Sequence, residues 1–281
     1  MRPAFCRLIG LQVALWLLSL AGLDGQAAGI TRWHHPWGRF QPGAWKLVRV
    51  TTQTFEDSRT LVSLTETRTT LQGVDRDGVT LLIEVGVQVA GRWFDTQPST
   101  VKQDFFGQLV NHKPEVVELD PAEVAIQDRQ IPCRVFRVET RNETSRTVST
   151  IYFSDAVEPY VLRRNSVKLD LETGKRLSET TVEVTETDVT CQVLGVLRRC
   201  AQVKWVHRHP AGTSTTLAIT CTDVPGAVVC HTLKEYDKAG KLVRQSHLEL
   251  VDYGFQTGRV RRGLFGRRPA RDRRRARRSG H

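Results

Sequence analysis

Apolar and polar residues alternate most clearly between Val79 and Val89, where an apolar side chain recurs at every second position. A period of two places these side chains on one face of a pleated strand and predicts that this face is buried. Asp77-Gly78, just before this stretch, is typical of a hairpin, because a type I′ turn needs positive φ at both central positions. We therefore predict a β-hairpin whose other strand is the Thr-rich stretch from Leu61 to Leu71.

One helix is predicted after this hairpin. Residues Thr100 to Gln103 have the form of a capping box, and Val101 and Phe105 follow a helical spacing. Pro114 would end this helix. The next stretch, Glu115 to Gln130, is interpreted as a linker or an edge segment of a sheet.

The second half of the chain consists of eight predicted strands, separated by turn residues, that align as two copies of a four-strand unit. The copies span 129–190 and 196–254, and the turn Gly174-Lys175 in the first matches Gly240-Lys241 in the second. Chance similarity between Thr- and Val-rich strands is the alternative. Closely spaced strands predict an antiparallel all-β fold, whereas the βαβ alternation of nucleotide-binding enzymes does not occur.

The predicted fold class is all-β, with one large curved antiparallel sheet built from internal repeats and at most one short helix. The sheet would form a half-barrel, a barrel or a sandwich, because ten or more strands twist, curl or split into layers. This architecture is similar to the incurved antiparallel sheets of periplasmic lipoprotein carriers. The similarity is one of fold, and function does not follow from it.

Residues 1–27 have the layout of a secretory signal peptide. Arg2 and Arg7 precede an apolar run from Leu8 to Leu23, and small residues follow up to Ala27. The run is shorter than the roughly 18–20 residues that a membrane-spanning helix needs, so we expect cleavage and no remaining span; a membrane anchor is the alternative. The sequence thus predicts an exported protein, periplasmic or extracellular.

Charge divides the remaining chain into a near-neutral body over 28–258 and a basic tail over 259–281. The tail holds eleven arginines and one aspartate, and so carries nearly all of the formal net charge of +11. It has too few apolar residues to fold and is predicted to be disordered. Attachment to an anionic envelope surface is the functional hypothesis, and a solvated extension is the alternative. Nucleic acid is not an expected partner, because only Phe265 could stack on bases. The arginines expected to contact the anionic surface are Arg267, Arg268, Arg271, Arg273, Arg274, Arg275, Arg277 and Arg278.

Five cysteines follow the signal peptide. Cys191 and Cys200 are symmetric about one predicted turn, and Cys221 and Cys230 about another, so each pair would be directly opposed in a hairpin. Opposed Cβ atoms lie about 4.5–5.5 Å apart and can adjust to disulfide geometry, which predicts the bridges Cys191–Cys200 and Cys221–Cys230. Pairing Cys200 with Cys221 would leave the outer two about 14 Å apart. Buried reduced thiols are the alternative, and Cys133 is interpreted as a core residue.

No residue pattern indicates catalysis, a cofactor or a metal. The sequence holds no G-x-S-x-G, H-E-x-x-H or Gly-rich phosphate loop, and a straight row of cysteines on a sheet does not form a tetrahedral zinc site. His207 and His209 share a strand face with Trp205, but neither a third histidine nor a carboxylate completes a metal site. We interpret this face as strand surface, and we expect the aromatic residues that follow the signal peptide to be packed.

These observations favour a non-catalytic exported protein that binds an apolar ligand or an envelope partner in the concavity of its sheet. A structural or interaction protein without a small ligand and an unrecognised hydrolase are the alternatives. The apolar row from Val79 to Val89 separates two outcomes. If this row lines an open cavity, an apolar ligand is expected; if it is covered, it is only core.

Overall fold

The computed structural model describes residues 30–57, 59–89, 91–108 and 114–255; the predicted signal peptide and the basic tail lie outside these residues. A 3-10 helix over Arg32–His34 precedes fourteen strands. The strands are β1 (Trp45–Glu56), β2 (Arg59–Asp75), β3 (Gly78–Val89), β4 (Arg92–Asp95), β5 (Ser99–Gln103), β6 (Glu115–Ile126), β7 (Arg129–Arg141), β8 (Ser145–Phe153), β9 (Val161–Asp170), β10 (Arg176–Val193), β11 (Val196–His209), β12 (Gly212–Thr220), β13 (Val228–Asp237) and β14 (Leu242–Gly254).

All fourteen strands belong to one antiparallel sheet, which confirms the predicted fold class. The order is β4-β3-β2-β1-β14-β13-β12-β11-β10-β9-β8-β7-β6, and β5 pairs with β3 beside β4. From β1 to β4, and again from β6 to β14, strands that follow one another in sequence pair with each other. These two series are joined where β1 pairs with β14. Within the described part of the chain the edge strands β4 and β6 do not pair, so the sheet is open.

The sheet is strongly curved, because strands that lie far apart in its order share one hydrophobic cluster. Val124 and Ile126 of β6 pack with Val182 and Val184 of β10, although three strands separate them. Four strand spacings in a flat sheet would place them about 19 Å apart. The concave side therefore forms an interior, and the side chains that point into it define the inner face of the sheet.

The apolar row of β3 lies on this inner face, and its first half is covered. Val79, Leu81 and Ile83 are buried, and the first two pack with Trp37 and Phe105. Trp37 belongs to the segment before β1, where the sequence predicts packed aromatic residues. The row from Val79 to Ile83 is therefore hydrophobic core and does not line an open cavity.

The helix predicted from Thr100 is wrong. Ser99–Gln103 is strand β5, and Val101 pairs with Leu81 of β3. A tight turn follows, in which Phe105 and Phe106 enter two different hydrophobic clusters. Helical spacing and strand alternation are hard to distinguish over so few residues, and pairing with the open edge of β3 decides the conformation.

The hairpin between β2 and β3 is confirmed, but its turn differs from the predicted one by one residue. Asp75 pairs with Gly78, so Arg76 and Asp77 form the loop, and the Asp75 carboxylate accepts a hydrogen bond from the backbone N–H of Asp77 at 2.8 Å. Gly78 has φ of +146°, and a Cβ there would collide with the carbonyl oxygen of Gln103. Glycine is needed because the end of β5 approaches closely.

The stretch predicted as a linker or edge segment is the edge strand β6. Its Pro121 lies at the register shift between Leu119 and Ala122, a position in an edge strand where a missing N–H is tolerated. The copies predicted over 129–190 and 196–254 contain β7 to β10 and β11 to β14, and the repeat itself stays a prediction. Among the described residues, no helix has the length and apolar character that crossing a membrane requires.

Candidate functional site

A cavity of about 390 Å³ lies against the centre of the inner face. It is bounded by β1 and by β8 to β14, which only a curved sheet can bring around one space. The lining residues are Thr52, Gln108, Thr147, Arg164, Ser166, Thr180, Val182, Trp205, His207, His209, Ser214, Thr216, His231, Leu233, Glu235, Arg244 and Ser246.

Strand register arranges the centre of this face in three cross-strand rows, because directly opposed residues of antiparallel strands share a face. The first row is polar, the second mixed and the third apolar except for His231. The first row runs Thr180, His207, Ser214, Glu235, Arg244; the second runs Val182, Trp205, Thr216, Leu233, Ser246, Thr52; and the third runs Val184, Val203, Ala218, His231, Leu248, Val50. Polarity thus falls across the cavity in steps of two residues along each strand.

The polar row carries two side-chain pairs. Nδ1 of His207 lies 2.8 Å from the Thr180 hydroxyl, and the rings of His207 and His209 are 5.3 Å apart. Arg244 and Glu235 form an ion pair with 2.5 Å between Nη2 and Oε2. Burial lowers the pKa of His207, and the neighbouring His209 lowers it further. The polar row can therefore present hydroxyl, imidazole and charged groups to a bound ligand.

His231 is the polar member of the apolar row. It is 6% exposed, and neither of its ring nitrogens has a hydrogen-bond partner among the described residues. Burial, with smaller contributions from His247 and Lys46, lowers its pKa to about 4, so the ring is neutral at pH 7. A buried polar group without a partner is costly, and a neutral imidazole has one donor and one acceptor to offer a molecule in the cavity.

Arg164 lines the cavity at the side of β9 and is hydrogen-bonded to the turn after β5. Its Nη1 donates to the carbonyl oxygen of Phe106 at 3.0 Å, and its Nη2 to the Ser149 hydroxyl at 3.4 Å. Burial lowers the pKa of Arg164 to about 10, against the attraction of Asp104, so it stays charged at neutral pH. Asp104 in turn accepts hydrogen bonds from the backbone N–H groups of Phe106 and Gln108.

The interpretation of His207, His209 and Trp205 as strand surface is wrong. They do share one face, as their spacing predicts, but that face points into the cavity. Sequence reasoning did not select Arg164 or His231. Each lies two residues from a leucine on the same strand face, Arg164 from Leu162 and His231 from Leu233, and a polar residue beside such an inward leucine is the signal that could have found them.

The registers predicted for the two cysteine pairs are wrong. The turn after β10 consists of Leu194 and Gly195, both with positive φ, and its centre lies one residue earlier than predicted. Cys191 therefore pairs with Arg198, while Val189 faces Cys200.

The second pair is displaced in the same way. Cys230 pairs with Ile219, and Cys221 lies beyond the end of β12. All five cysteines among the described residues are free thiols. The tail arginines predicted to contact anionic surfaces lie outside the described residues.

The comparisons with known proteins give similarity of low degree. No protein-family model and no curated protein matches the sequence. A predicted exported protein with a YmcC-like fold from Bacteroides fragilis is 12% identical, with a TM-score of 0.31 over 76% of this chain and 97% of that one. A DUF1329 family protein from Desulfovibrio piger is 8% identical, with a TM-score of 0.34 over 76% and 86%. A predicted outer membrane lipoprotein-sorting protein domain from Vibrio parahaemolyticus is 10% identical, with a TM-score of 0.34 over 78% and 88%. Similarity of this degree does not assign a function.

Proposed function

We propose that this protein is an exported, non-catalytic binding protein that holds an amphipathic ligand in the cavity of its curved sheet. The observation that carries the proposal is the cavity of about 390 Å³ with its graded lining and the unpartnered His231 at its apolar end. This volume is within the range of about 300–1,000 Å³ typical of small-molecule sites.

The lining favours a ligand with an apolar body and a polar group over a purely apolar one. Trp205, Val182 and Leu233 offer apolar surface in the middle row, whereas hydroxyl, imidazole and charged groups dominate the polar row. Trp205 provides a large flat surface for an aliphatic or ring-shaped body. The first half of the β3 row, which would have indicated an apolar ligand had it lined an open cavity, is part of the core.

The test is recovery of a bound molecule from the intact protein. Protein purified from an extracytoplasmic compartment without detergent is denatured, extracted into organic solvent and examined by mass spectrometry. Ser214→Trp places a large ring in the cavity, and we expect it to lose the molecule that the wild type carries. Leu217→Trp is the matched control, because Leu217 is on the same strand but 49% exposed on the other face. If extraction yields nothing from the wild type, or the same molecule from both variants, a structural or interaction protein without a small ligand is the better account.

The basic tail supports a second part of the proposal, attachment to an anionic envelope surface. Each arginine that reaches such a surface contributes about 1 kcal/mol, so a few of the eleven suffice for firm binding. We expect the full chain to co-sediment with vesicles containing anionic phospholipid and a chain without residues 259–281 not to. Binding should weaken in 1 M salt, where the Debye length is about 3 Å. Equal sedimentation of both chains, or no effect of salt, would leave the tail as a solvated extension.

A second candidate function is hydrolysis, and one contact favours it. The Thr180 hydroxyl and Nδ1 of His207 are 2.8 Å apart, a distance at which an imidazole can activate a hydroxyl nucleophile. A screen with ester, glycoside and phosphate substrates addresses this candidate. Turnover that is lost in Thr180→Val but kept in Thr213→Val would establish it over ligand binding alone.

A further inference from the structure

Three cysteines, from β10, from β11 and from just after β12, meet in one hydrophobic cluster. Cys200 and Cys221 are 5% and 1% exposed, and half-buried Cys191 packs against the same cluster. The thiol of Cys200 interacts with those of both Cys191 and Cys221. Cys200 could therefore bridge to either neighbour, and the backbone register decides which bridge the fold allows.

The register of β11 and β12 places Cys200 opposite Cys221. Ala201 pairs with Thr220 in the last pair of the two strands. Cys200 precedes Ala201 and Cys221 follows Thr220, so the two cysteines face each other just beyond this pair. Opposed Cα atoms in antiparallel strands are about 4.5–5.5 Å apart. This separation is inside the usual range of about 4.4–6.8 Å for the Cα atoms of a disulfide.

The other two pairings are diagonal. Val189 faces Cys200, so Cys191 is two residues away from the opposed position. Ile219 faces Cys230, and the register then shifts so that Thr220 pairs with Val228, which leaves Cys221 at least two residues from the position opposite Cys230. Diagonal neighbours in a sheet are about 7–8 Å apart, beyond the usual disulfide range. The register thus removes the geometric basis for both bridges expected from the sequence.

We propose that Cys200 and Cys221 form the one disulfide of this sheet under oxidising conditions, leaving Cys133, Cys191 and Cys230 as thiols. The two thiols exchange with an external disulfide, such as oxidised glutathione. The S–S bond of the oxidant breaks, a bond forms between the two Sγ atoms, and both protons end on the two thiols released from the oxidant. This inference does not rest on the proposed ligand.

The bridge would restrain the loop that joins β12 to β13. This loop is hydrogen-bonded to the segment before β1. Soon after Cys221, the loop places the backbone N–H of Gly226 2.9 Å from the carbonyl oxygen of Pro36. Lys46 donates to the carbonyl oxygen of Gly226 at 3.2 Å. Linking Cys221 to β11 therefore restrains the contact between this loop and the segment before β1, which covers part of the core.

The experiment is refolding of the full chain in a glutathione redox buffer, followed by alkylation in denaturant and non-reducing peptide mapping. We expect one linked peptide pair, Cys200 with Cys221, and alkylation of the other three cysteines of the body. Cys191→Ala should keep the bridge and Cys221→Ala should lose it. Oxidation should raise the thermal midpoint of the wild type and of Cys191→Ala, with no such rise in Cys221→Ala. A Cys191–Cys200 or Cys221–Cys230 peptide in the wild type, or five alkylated cysteines, would overturn the proposal.

Discussion

Two regions of the inner face differ in what their inward side chains meet: one region is covered by other segments, and the other lines the cavity. In β3 the inward residues Val79 and Leu81 are covered by the segment before β1 and by the turn after β5. In β11 to β13 the inward residues include His207, Ser214 and Glu235, and they line a cavity. Both regions obey the same alternation of side chains, so alternation shows which residues point inward and does not show what they meet there.

Leu81 should be far more important for stability than its neighbour on the other face. Leu81→Ala removes a side chain that is fully buried, and we expect a loss of about 2–5 kcal/mol in the free energy of unfolding. The matched control is Leu82→Ala, where the half-buried Leu82 points outward. Denaturant unfolding of both variants measures the difference, and losses of equal size would contradict the assignment of the covered face.

Lys46 should make stability depend on pH in the alkaline range. It is buried near Trp37, and burial lowers its pKa to about 7 from an ordinary 10.5. Between these values the unfolded chain binds a proton that the folded chain does not, so stability rises with pH by up to about 1.4 kcal/mol per pH unit. In Lys46→Met this part of the rise should vanish. Unfolding curves from pH 7 to 10 give the comparison, and parallel profiles for the wild type and the Lys46→Met variant would show that the lysine keeps its charge on folding.

His231 should also make stability depend on pH, but in the acid range and by a smaller amount. The measurement uses protein stripped of any ligand. Its pKa falls to about 4 from 6.5, so the stability present above pH 6.5 is lost as the pH falls towards 4. His231→Leu removes this loss, and since it also removes an unpartnered polar group, it should not destabilise the protein at pH 7. His209→Leu is the control, because His209 lies at the polar end of the cavity and is only half-buried. A His231→Leu variant that is less stable at pH 7 would indicate that His231 has a partner in the fold.

The fold was largely predictable from the sequence, and the site was not. Alternation and turn residues suffice for strands such as β3 and β7 to β14, because each depends on local pattern. Strand β5 was missed because its conformation depends on pairing with the distant strand β3. The cavity depends on which inward residues other segments cover, and that is set by tertiary packing.

The cysteine registers failed for a more local reason. The turn after β10 uses a leucine at positive φ, Leu194, a conformation that non-glycine residues seldom adopt and that the sequence pattern does not reveal. An irregularity between Ile219 and Thr220 also shifts the end of β12 against β13. A shift of one residue in either place changes which side chains are opposed, so a disulfide prediction is more sensitive to it than a fold prediction.

Hydrogen exchange tests directly whether the cavity is a ligand-binding site. It is measured on the protein with its co-purified molecule and again after that molecule has been stripped. If the cavity holds a ligand, stripping should speed backbone exchange in β11 to β13, around Trp205 and His231, and leave β2 and β3 unchanged. These strands are compared within one sample, so global unfolding would be visible as a change in both regions. Equal exchange in both states, or a change confined to β2 and β3, would contradict the account.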